Sequence, residues 1–236
     1  MAGFATILIA LLVASAAALV CRAYQGDIAA ARARVVTGSQ VVQTRCGPIE
    51  YASIGKGAPV LVVHGAGGGF DMGLQFGSTL ATAGYRAIAM SRFGYLRTPL
   101  PQDASAVAQA DAHACLLDAL GIGKAAVVGA SAGALSSMQF ALRHAQRCPA
   151  LVLLVPAAYV PRPAGQPAVR TSAATRLLFD TALRSDLLRW TATKVAPRIL
   201  IRDLLATPSA VMMTVGDLAV GAVKATNVII EVPPVN

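Results

Sequence analysis

Charged and aromatic residues are scarce in this sequence. Asp, Glu, Lys and Arg make up 13% of the 236 residues and aromatic residues 5%, whereas 56% are hydrophobic. A chain this apolar can bury a large core, which excludes an intrinsically disordered protein. The formal charge of +9 comes mostly from arginines that are scattered along the chain. Because no basic stripe and no nucleic-acid-binding motif is present, we expect no nucleic-acid partner; a diffuse positive surface facing anionic lipid is the preferred interpretation.

Closely spaced cysteine pairs are missing as well. The four cysteines lie far apart and none belongs to a C-x-x-C pair, so we expect no metal site. Cys115 falls within a predicted helix and Cys148 just after one, and burial as small hydrophobic side chains is the expectation for both. Disulfides are compatible with this composition, but the sequence does not select a pair.

The N-terminus carries a long apolar run without a charged residue, FATILIALLVASAAALV at 4–20. As a helix this run is about 25 Å long, slightly short of a bilayer core of about 30 Å. A signal peptide would need a basic start, although Ala-Ser-Ala at 14–16 resembles a cleavage site. A lipoprotein site at Cys21 lacks the small residue expected before it. An uncleaved anchor over 1–21 fits best, and the arginines that follow favour a cytoplasmic side for the rest of the chain; export after cleavage is the alternative.

Strand-like and helix-like segments alternate over 35–160, after a polar linker at 22–34. Two antiparallel strands are predicted first, and buried strands then alternate with helices. The predicted strands lie at 34–44, 47–54, 58–65, 85–91, 124–130 and 150–158, and the predicted helices at 71–83, 103–120 and 131–147. This order predicts an α/β fold, with a mainly parallel sheet flanked by helices.

The stretch at 161–206 differs in character from the α/β segment. Three prolines interrupt it, and apolar residues then recur at three-and-four spacing. That spacing predicts two or three amphipathic helices, which commonly form a lid over a pocket when they follow a sheet strand. The last segment, 207–236, shows no such pattern and is interpreted as an atypical tail.

The sequence VVGASAG places Ser131 between a predicted buried strand and a predicted helix. So tight a turn needs tiny flanking residues, here Gly129, Ala130, Ala132 and Gly133. The positive end of the helix dipole faces the serine oxygen, and the amide of Ala132 can donate to a developing oxyanion.

A second glycine-rich loop, HGAGGGF at 64–70, follows another predicted buried strand. Loops at the carboxyl ends of neighbouring parallel strands converge on one crevice. Its glycines leave backbone amides open to a substrate oxygen, so Ala66 or Gly67 is the candidate for the second oxyanion donor.

The segments VVHGAGGG, SRFGYLRTP and VVGASAG, in this order and spacing, resemble the α/β-hydrolase fold family over about residues 35–206. The resemblance implies a serine hydrolase of the esterase or lipase kind, with Ser131 as nucleophile and an oxyanion hole made by Ala66 or Gly67 with Ala132. It implies hydrolysis of an ester, or of a related acyl or C–C bond, in a small molecule and without a cofactor. It also implies that His64 supports the glycine loop and is not the general base.

The partners that a serine nucleophile requires are not found. A general base must be held by an acid, and in this fold the acid and then the histidine follow the serine. His144 is the one histidine after Ser131, but it lies about 19 Å further along the same predicted helix. His113 belongs to the preceding helix. The later acidic residues sit in predicted lid helices or in the tail: Asp180, Asp186, Asp203, Asp217 and Glu231. The general base and the acid therefore stay unassigned.

We hypothesise that the family's last two strands, which present the acid and the histidine, are missing through truncation or a change of reading frame near residue 207. The edge of the strand at 150–158 would then be unpaired unless the tail covers it. Three hypotheses follow: a membrane-anchored serine hydrolase with impaired turnover, a non-catalytic hydrolase-like binding or scaffold protein, and a truncated gene product without a selected function.

Overall fold

The computed structural model describes residues 2–157, 185–195 and 228–230, with single helical positions at 173, 176, 177, 180 and 197. The described residues fall into two compact units. One unit contains the N-terminal helix up to residue 31 together with a helix from the predicted lid region. The other contains a sheet and the helices that flank it.

The N-terminal helix, α1, covers Ala2–Thr37. It passes through both the predicted anchor and the predicted linker, so the linker is helical. Its large apolar side chains between Phe4 and Val20 are exposed, and the segment Gly3–Thr37 is long and apolar enough to cross a membrane. The strand predicted from residue 34 begins later, at Gln40, because residues 34–37 continue the helix.

A seven-stranded sheet forms the centre of the second unit, in the order β1-β2-β4-β3-β5-β6-β7. The strands are β1 Gln40–Thr44, β2 Gly47–Ile54, β3 Pro59–Val63, β4 Arg86–Met90, β5 Ala126–Ala130, β6 Leu151–Leu154 and β7 Val228–Ile230. The four central strands, β4, β3, β5 and β6, are parallel. The parallel centre and the antiparallel pair β1–β2 were predicted. Because β2 also pairs antiparallel with β4, and β7 with β6, the whole sheet is mixed, which the sequence did not predict.

The outer edge of β6 is paired with the tail. Leu151 faces Ile230 and Leu153 faces Val228 in an antiparallel register. The short run Val-Ile-Ile has the β-branched composition typical of strands, and its pairing satisfies backbone groups that an open edge would expose. Of the predicted tail at 207–236, the other residues lie outside the described part of the chain, and so does most of the predicted lid at 161–206.

Five α-helices are described. They are α1, α2 Phe70–Thr82, α3 Ala106–Ala119, α4 Gly133–Arg143 and α5 Asp186–Val195, and a short 3₁₀ turn, Ala145–Arg147, follows α4. Ser105 caps α3, because its hydroxyl accepts a hydrogen bond from the amide of Ala108 at 3.1 Å. Gly84, with a φ of +86°, leads the chain from α2 toward β4.

Both faces of the sheet are covered. On one face, strand residues such as Leu61 and Ile88 pack in a cluster with Leu116 of α3 and Phe140 of α4. On the other, the alternate strand residues pack with Phe70 of α2. The alternation explains why the central strands are continuous apolar runs in the sequence. With both faces of the sheet covered, the loops at the carboxyl ends of the strands are where a binding or catalytic site can lie.

Cys46 and Cys115 form a disulfide that joins the β1–β2 turn to α3. Their Cα atoms are 6.0 Å apart, within the usual range for a disulfide. Cys115 is buried, as predicted, but it is part of a disulfide and not a free thiol. The pair is separated by 69 residues, and for this reason the sequence alone did not select it. Cys148 is buried and free, and Cys21 is exposed and free.

The disulfide should stabilise the second unit. Cys46→Ser should lower the free energy of unfolding by up to about 4 kcal/mol, because the bond closes a long loop in the unfolded chain. Chemical denaturation of the full chain in detergent would measure the change, and Cys21→Ser, at an exposed free cysteine, is the matched control. Alkylation of Cys46 without prior reduction, together with unchanged stability of the variant, would contradict the bond.

Candidate active site

Ser131 lies on a sharp turn between β5 and α4. Its φ is +48°, in the left-handed region that residues other than glycine rarely adopt. Its amide donates to the carbonyl oxygen of Leu154 at 2.9 Å, and its carbonyl oxygen accepts from the amides of Ala134 and Ala157, both at 3.0 Å. These bonds hold the turn, and Ser131 remains exposed at the carboxyl end of β5.

The two glycines of the motif are required by close packing. A Cβ atom added at Gly133 would lie 2.5 Å from the carbonyl oxygen of His64 and 2.6 Å from that of Val63. A Cβ atom at Gly129 would lie 2.7 Å from the Cβ of Ser137 in α4. Contacts this short do not occur between real side chains and backbone, so only glycine allows α4 to start so near β3 and β5.

The glycine loop after β3 meets the serine turn. A Cβ atom at Gly65 would lie 3.1 Å from the Cβ of Ser131 and 3.7 Å from its Oγ. Ala66 and Gly67 are exposed, and Ala132 is partly exposed. Within the described residues, no hydrogen bond uses the amides of Ala66, Gly67 or Ala132 as donors. The structure thus places the loop that contains the predicted donors Ala66 and Gly67 next to the predicted nucleophile.

His64 is fully buried at the end of β3. The amide of Arg92 donates to its Nε2 at 2.9 Å, so the proton of the neutral ring is on Nδ1, which lies 2.7 Å from the carbonyl oxygen of Gly65. Burial lowers the pKa of His64 to about 4. Both ring nitrogens are therefore used in fixing the glycine loop to the segment after β4.

Tyr95 also holds the glycine loop, and sequence reasoning did not identify it. Its hydroxyl donates to the carbonyl oxygen of Ala66 at 3.2 Å, and its ring packs edge-on against His64 with 4.7 Å between the ring centroids. The guanidinium of Arg92 lies 5.6 Å from the centre of the Tyr95 ring. The segment SRFGYLRTP thus contributes a second support to the predicted oxyanion donor.

Glu50 anchors the rest of that segment through a buried charged network. Its carboxylate accepts hydrogen bonds from Ser39 at 2.6 Å, from Ser91 at 2.8 Å and from the Nε of Arg97 at 2.8 Å. Burial alone would raise the pKa of Glu50, but the hydrogen bonds from Ser39 and Arg97 outweigh it and the pKa is lowered. The sequence analysis did not identify this network. The available signal was a glutamate at a strand position that faces the core, where a charged side chain needs partners.

The other two histidines are engaged elsewhere. His113 is fully buried between Met90 and Ser136, with its Nε2 3.0 Å from the hydroxyl of Ser136. Burial lowers its pKa to about 3. His144, just after α4, places its Nε2 2.8 Å from a carboxylate oxygen of Asp111. Every histidine of this chain therefore has its Nε2 in contact with a partner other than Ser131.

Of the predicted acidic candidates, the described ones, Asp180 and Asp186, belong to the unit that contains most of α1. Asp186 is exposed in α5 and pairs with Arg189, one turn along the same helix. Asp180 is exposed at a helical position. Asp203, Asp217 and Glu231 lie outside the described residues.

Comparison with known proteins agrees with this geometry. A sequence profile described as alpha/beta hydrolase fold matches residues 58–196, more than half of the chain. The chain belongs to the α/β-hydrolase fold family. The match covers the glycine loop, the serine turn and nearly all of the described part of the predicted lid.

Individual relatives are similar to part of the chain. The uncharacterized hydrolase YcgS of Bacillus subtilis (strain 168) is 38% identical over 113 residues, which cover 45% of this chain and 37% of that protein. A 2-hydroxy-6-oxo-6-phenylhexa-2,4-dienoate hydrolase of Comamonas testosteroni is 30% identical over 113 residues, covering 46% and 40%. Among solved structures, an alpha/beta hydrolase fold protein from Nakamurella multipartita has a TM-score of 0.50 and 36% identity, covering 61% of this chain and 52% of that one. The chain spans less than half the length of these curated relatives.

Gly133→Ala should disrupt the serine turn. The added methyl would overlap the carbonyl oxygens of Val63 and His64, and we expect a loss of about 1–3 kcal/mol or more in the free energy of unfolding. Chemical denaturation would measure it. Gly123→Ala is the matched control, because a Cβ atom there meets nothing within 4 Å. Equal effects of the two substitutions would mean that α4 does not approach β3 as described.

The stability of the fold should decline as the pH falls below the usual pKa of histidine. His64 and His113 have folded pKa values of about 4 and about 3, against 6.5 for the ordinary side chain. The unfolded chain therefore binds their protons first, and the stability present above pH 6.5 is lost as the pH falls toward 4, with a total on the order of several kcal/mol. Denaturation midpoints measured between pH 7.5 and 4.5 would show the decline. His113→Phe should make it shallower, and a wild-type midpoint that stays constant over this range would contradict the assignment.

Proposed function

We propose that this chain carries the nucleophile and oxyanion hole of a serine hydrolase, with Ser131 as nucleophile. The observation that carries the proposal is the conformation of Ser131, a serine with positive φ held exposed at the start of a helix. Such a conformation costs about 1–3 kcal/mol and is concentrated at functional sites. An ordinary surface turn would have a glycine at such a position and would so avoid the conformational cost.

The chemistry follows from the atoms around Ser131. Its Oγ attacks the carbonyl carbon of an ester or of a related acyl or C–C substrate, and the carbonyl oxygen takes up the negative charge. The amide of Ala132 and that of Ala66 or Gly67 donate to this oxygen, and the dipole of α4 adds to their effect. The bond to the leaving group then breaks, the leaving group takes a proton, and water releases the acyl group from Ser131.

The substrate class is a small molecule with an electrophilic carbonyl. One relative is named as the hydrolase of a 2-hydroxy-6-oxo-6-phenylhexa-2,4-dienoate, which supports a carbonyl compound over a peptide or a nucleic acid. No cofactor takes part in the proposed steps.

Turnover by this chain is proposed to be impaired. The proton of Ser131 needs a base, and the three histidines are bound to Arg92 and Gly65, to Met90 and Ser136, and to Asp111. Removing the histidine of a serine protease costs about a million-fold in turnover and leaves roughly a thousand-fold over water. Ser131 should therefore react slowly with substrates that need assistance.

The same observation favours a second candidate, a hydrolase-like binding protein. It would keep the exposed turn and the amide donors, and it would bind a carbonyl or carboxylate oxygen without cleaving anything. Binding of a small ester with no measurable hydrolysis distinguishes this candidate from a slow hydrolase.

We further propose that α1 anchors the chain in a membrane and that the sheet unit lies in an oxidising compartment. The arginines after residue 21 favour the cytoplasmic side, but this charge rule is a tendency with exceptions. The Cys46–Cys115 bond persists in oxidising compartments and is rare in the cytosol. We therefore give the disulfide more weight than the charge rule, and it supports the oxidising compartment.

A fluorophosphonate probe tests the nucleophile. We expect the full chain in detergent to be labelled slowly at Ser131 and Ser131→Ala to lose the label, because the probe captures a reactive serine hydroxyl. In-gel fluorescence after a time course, with peptide mass spectrometry, is the measurement.

Ser78→Ala is the matched control for the probe, since Ser78 is also exposed but lies within α2. Its labelling should equal that of the wild type. Equal labelling of Ser131→Ala would end the assignment, and a wild type that stays unlabelled while binding esters would favour the binding protein.

A further inference from the structure

We propose that α5 is an interfacial helix, which holds Trp190 at the level of the phospholipid headgroups and presents its apolar face to lipid. The inference goes beyond the hydrolase chemistry and rests on the proposed anchoring of α1 in a membrane. It concerns only the unit that contains α1 and α5.

Three contacts fasten α5 to α1. The indole Nε1 of Trp190 donates to a carboxylate oxygen of Asp27 at 2.8 Å, and the Nζ of Lys194 lies 2.9 Å from the same oxygen. The rings of Trp190 and Tyr24 meet edge-on, with 5.6 Å between their centroids. Together these contacts place the middle of α5 beside residues 24–27 of α1.

The contact region lies at headgroup depth. Tyr24 and Asp27 follow the end of the apolar run at Val20 by one and two helical turns, which is about 6 and 10 Å at 1.5 Å per residue. Each headgroup layer extends about 5–7 Å beyond the hydrocarbon core. Because the apolar run is about 5 Å shorter than that core, up to about 5 Å of these distances lies within the core, which leaves Tyr24 and Asp27 inside the headgroup layer. Tryptophan and tyrosine concentrate in this layer, because their rings are apolar and their N–H and O–H groups are polar. Tyr24 and Trp190 form such a pair.

One side of α5 carries exposed apolar side chains. Leu188 and Val195 are 50% and 78% exposed. At 100° per residue both lie roughly opposite Trp190 on the helix, so they point away from α1. At headgroup depth the medium around α1 is the lipid itself. The apolar side of α5 would therefore face the boundary between the headgroups and the acyl chains.

The polar side of this unit carries exposed basic side chains, which suit an anionic phospholipid surface. Arg22 is exposed near the contact region, and Arg189 and Lys194 are exposed as well, although they pair with Asp186 and Asp27. Long basic side chains such as that of Arg22 reach from an apolar surface toward phosphate groups. Basic residues on the polar side of a helix with leucines on the other are typical of helices that lie in a membrane interface.

The chain provides its own probe of this arrangement, since Trp190 is the only tryptophan in the sequence. The full chain would be reconstituted into vesicles of phosphatidylcholine and phosphatidylglycerol whose acyl chains carry bromine either near the headgroup or near the bilayer centre. We expect shallow bromine to quench the Trp190 emission at least twofold, and deep bromine to quench it clearly less. Sedimentation of the chain with the vesicles is measured in the same samples.

Two variants separate lipid contact from anchoring. Leu188→Ser with Val195→Ser should sediment like the wild type but show weaker shallow quenching, because the helix loses its apolar contact. Leu142→Ser, at an exposed leucine of α4, is the matched control and should leave the quenching unchanged.

Each outcome bears on the proposal. Sedimentation without shallow quenching, or equal quenching in the double variant, would overturn the interfacial position of α5 while leaving the anchor in place. A chain that does not sediment with the vesicles would overturn both. Fluorophosphonate labelling of Ser131 in detergent is independent of all these results, so a failure of the proposed hydrolase chemistry would be recognised separately.

Discussion

The architecture around the site depends on how closely α4 approaches β3. With no side chain at Gly133, the start of α4 lies against the carbonyl oxygens of Val63 and His64. β3 and β5 already pair in the sheet, with Val63 opposite Gly129, and this contact sets the turn after β5 so that Ser131 lies next to Gly65. The positive φ of Ser131 is the conformational cost of so short a connection. Without it, the serine and the glycine loop would lie on neighbouring strands but would not form one site.

The second constraint is the set of bonds that hold the glycine loop in place. His64 joins the loop to the backbone of Arg92, and Tyr95 joins the carbonyl of Ala66 to the same segment. Glu50 then fixes that segment to β2 through Ser91 and Arg97. A loop rich in glycine loses much conformational freedom when it is ordered. These polar bonds keep its amides in a fixed direction, which is the property an oxyanion hole requires.

Much of this could be predicted from the sequence, because the central elements carry strong local signals. Continuous apolar runs predicted β3, β4, β5 and β6, and the tiny residues around Ser131 predicted the sharp turn.

The features that were missed depend on residues far apart in the chain. Neither the bond of Cys46 to Cys115 nor the pairing of Val228–Ile230 with β6 has a local signature. The ion pair of Glu50 with Arg97 becomes visible only when β2 lies beside the segment after β4. The extension of α1 through residues 34–37 was missed because Val35, Val36 and Thr37 are β-branched, and helix continuity outweighed their strand preference.

The hydrogen bonds of His64 show how one side chain can support the glycine loop and, through the same contacts, be unsuited to act as a base. A buried neutral histidine stabilises the fold by donating one hydrogen bond and accepting another, and His64 does this between two loops. Using it as a base would require breaking the bond from Arg92 and placing a positive charge in a site that burial already makes unfavourable for charge. The geometry that fixes the glycine loop is therefore the same geometry that removes His64 from proton transfer. Fixing the amides of a loop and activating a serine are separate physical tasks, and the contacts of His64 serve the first of them.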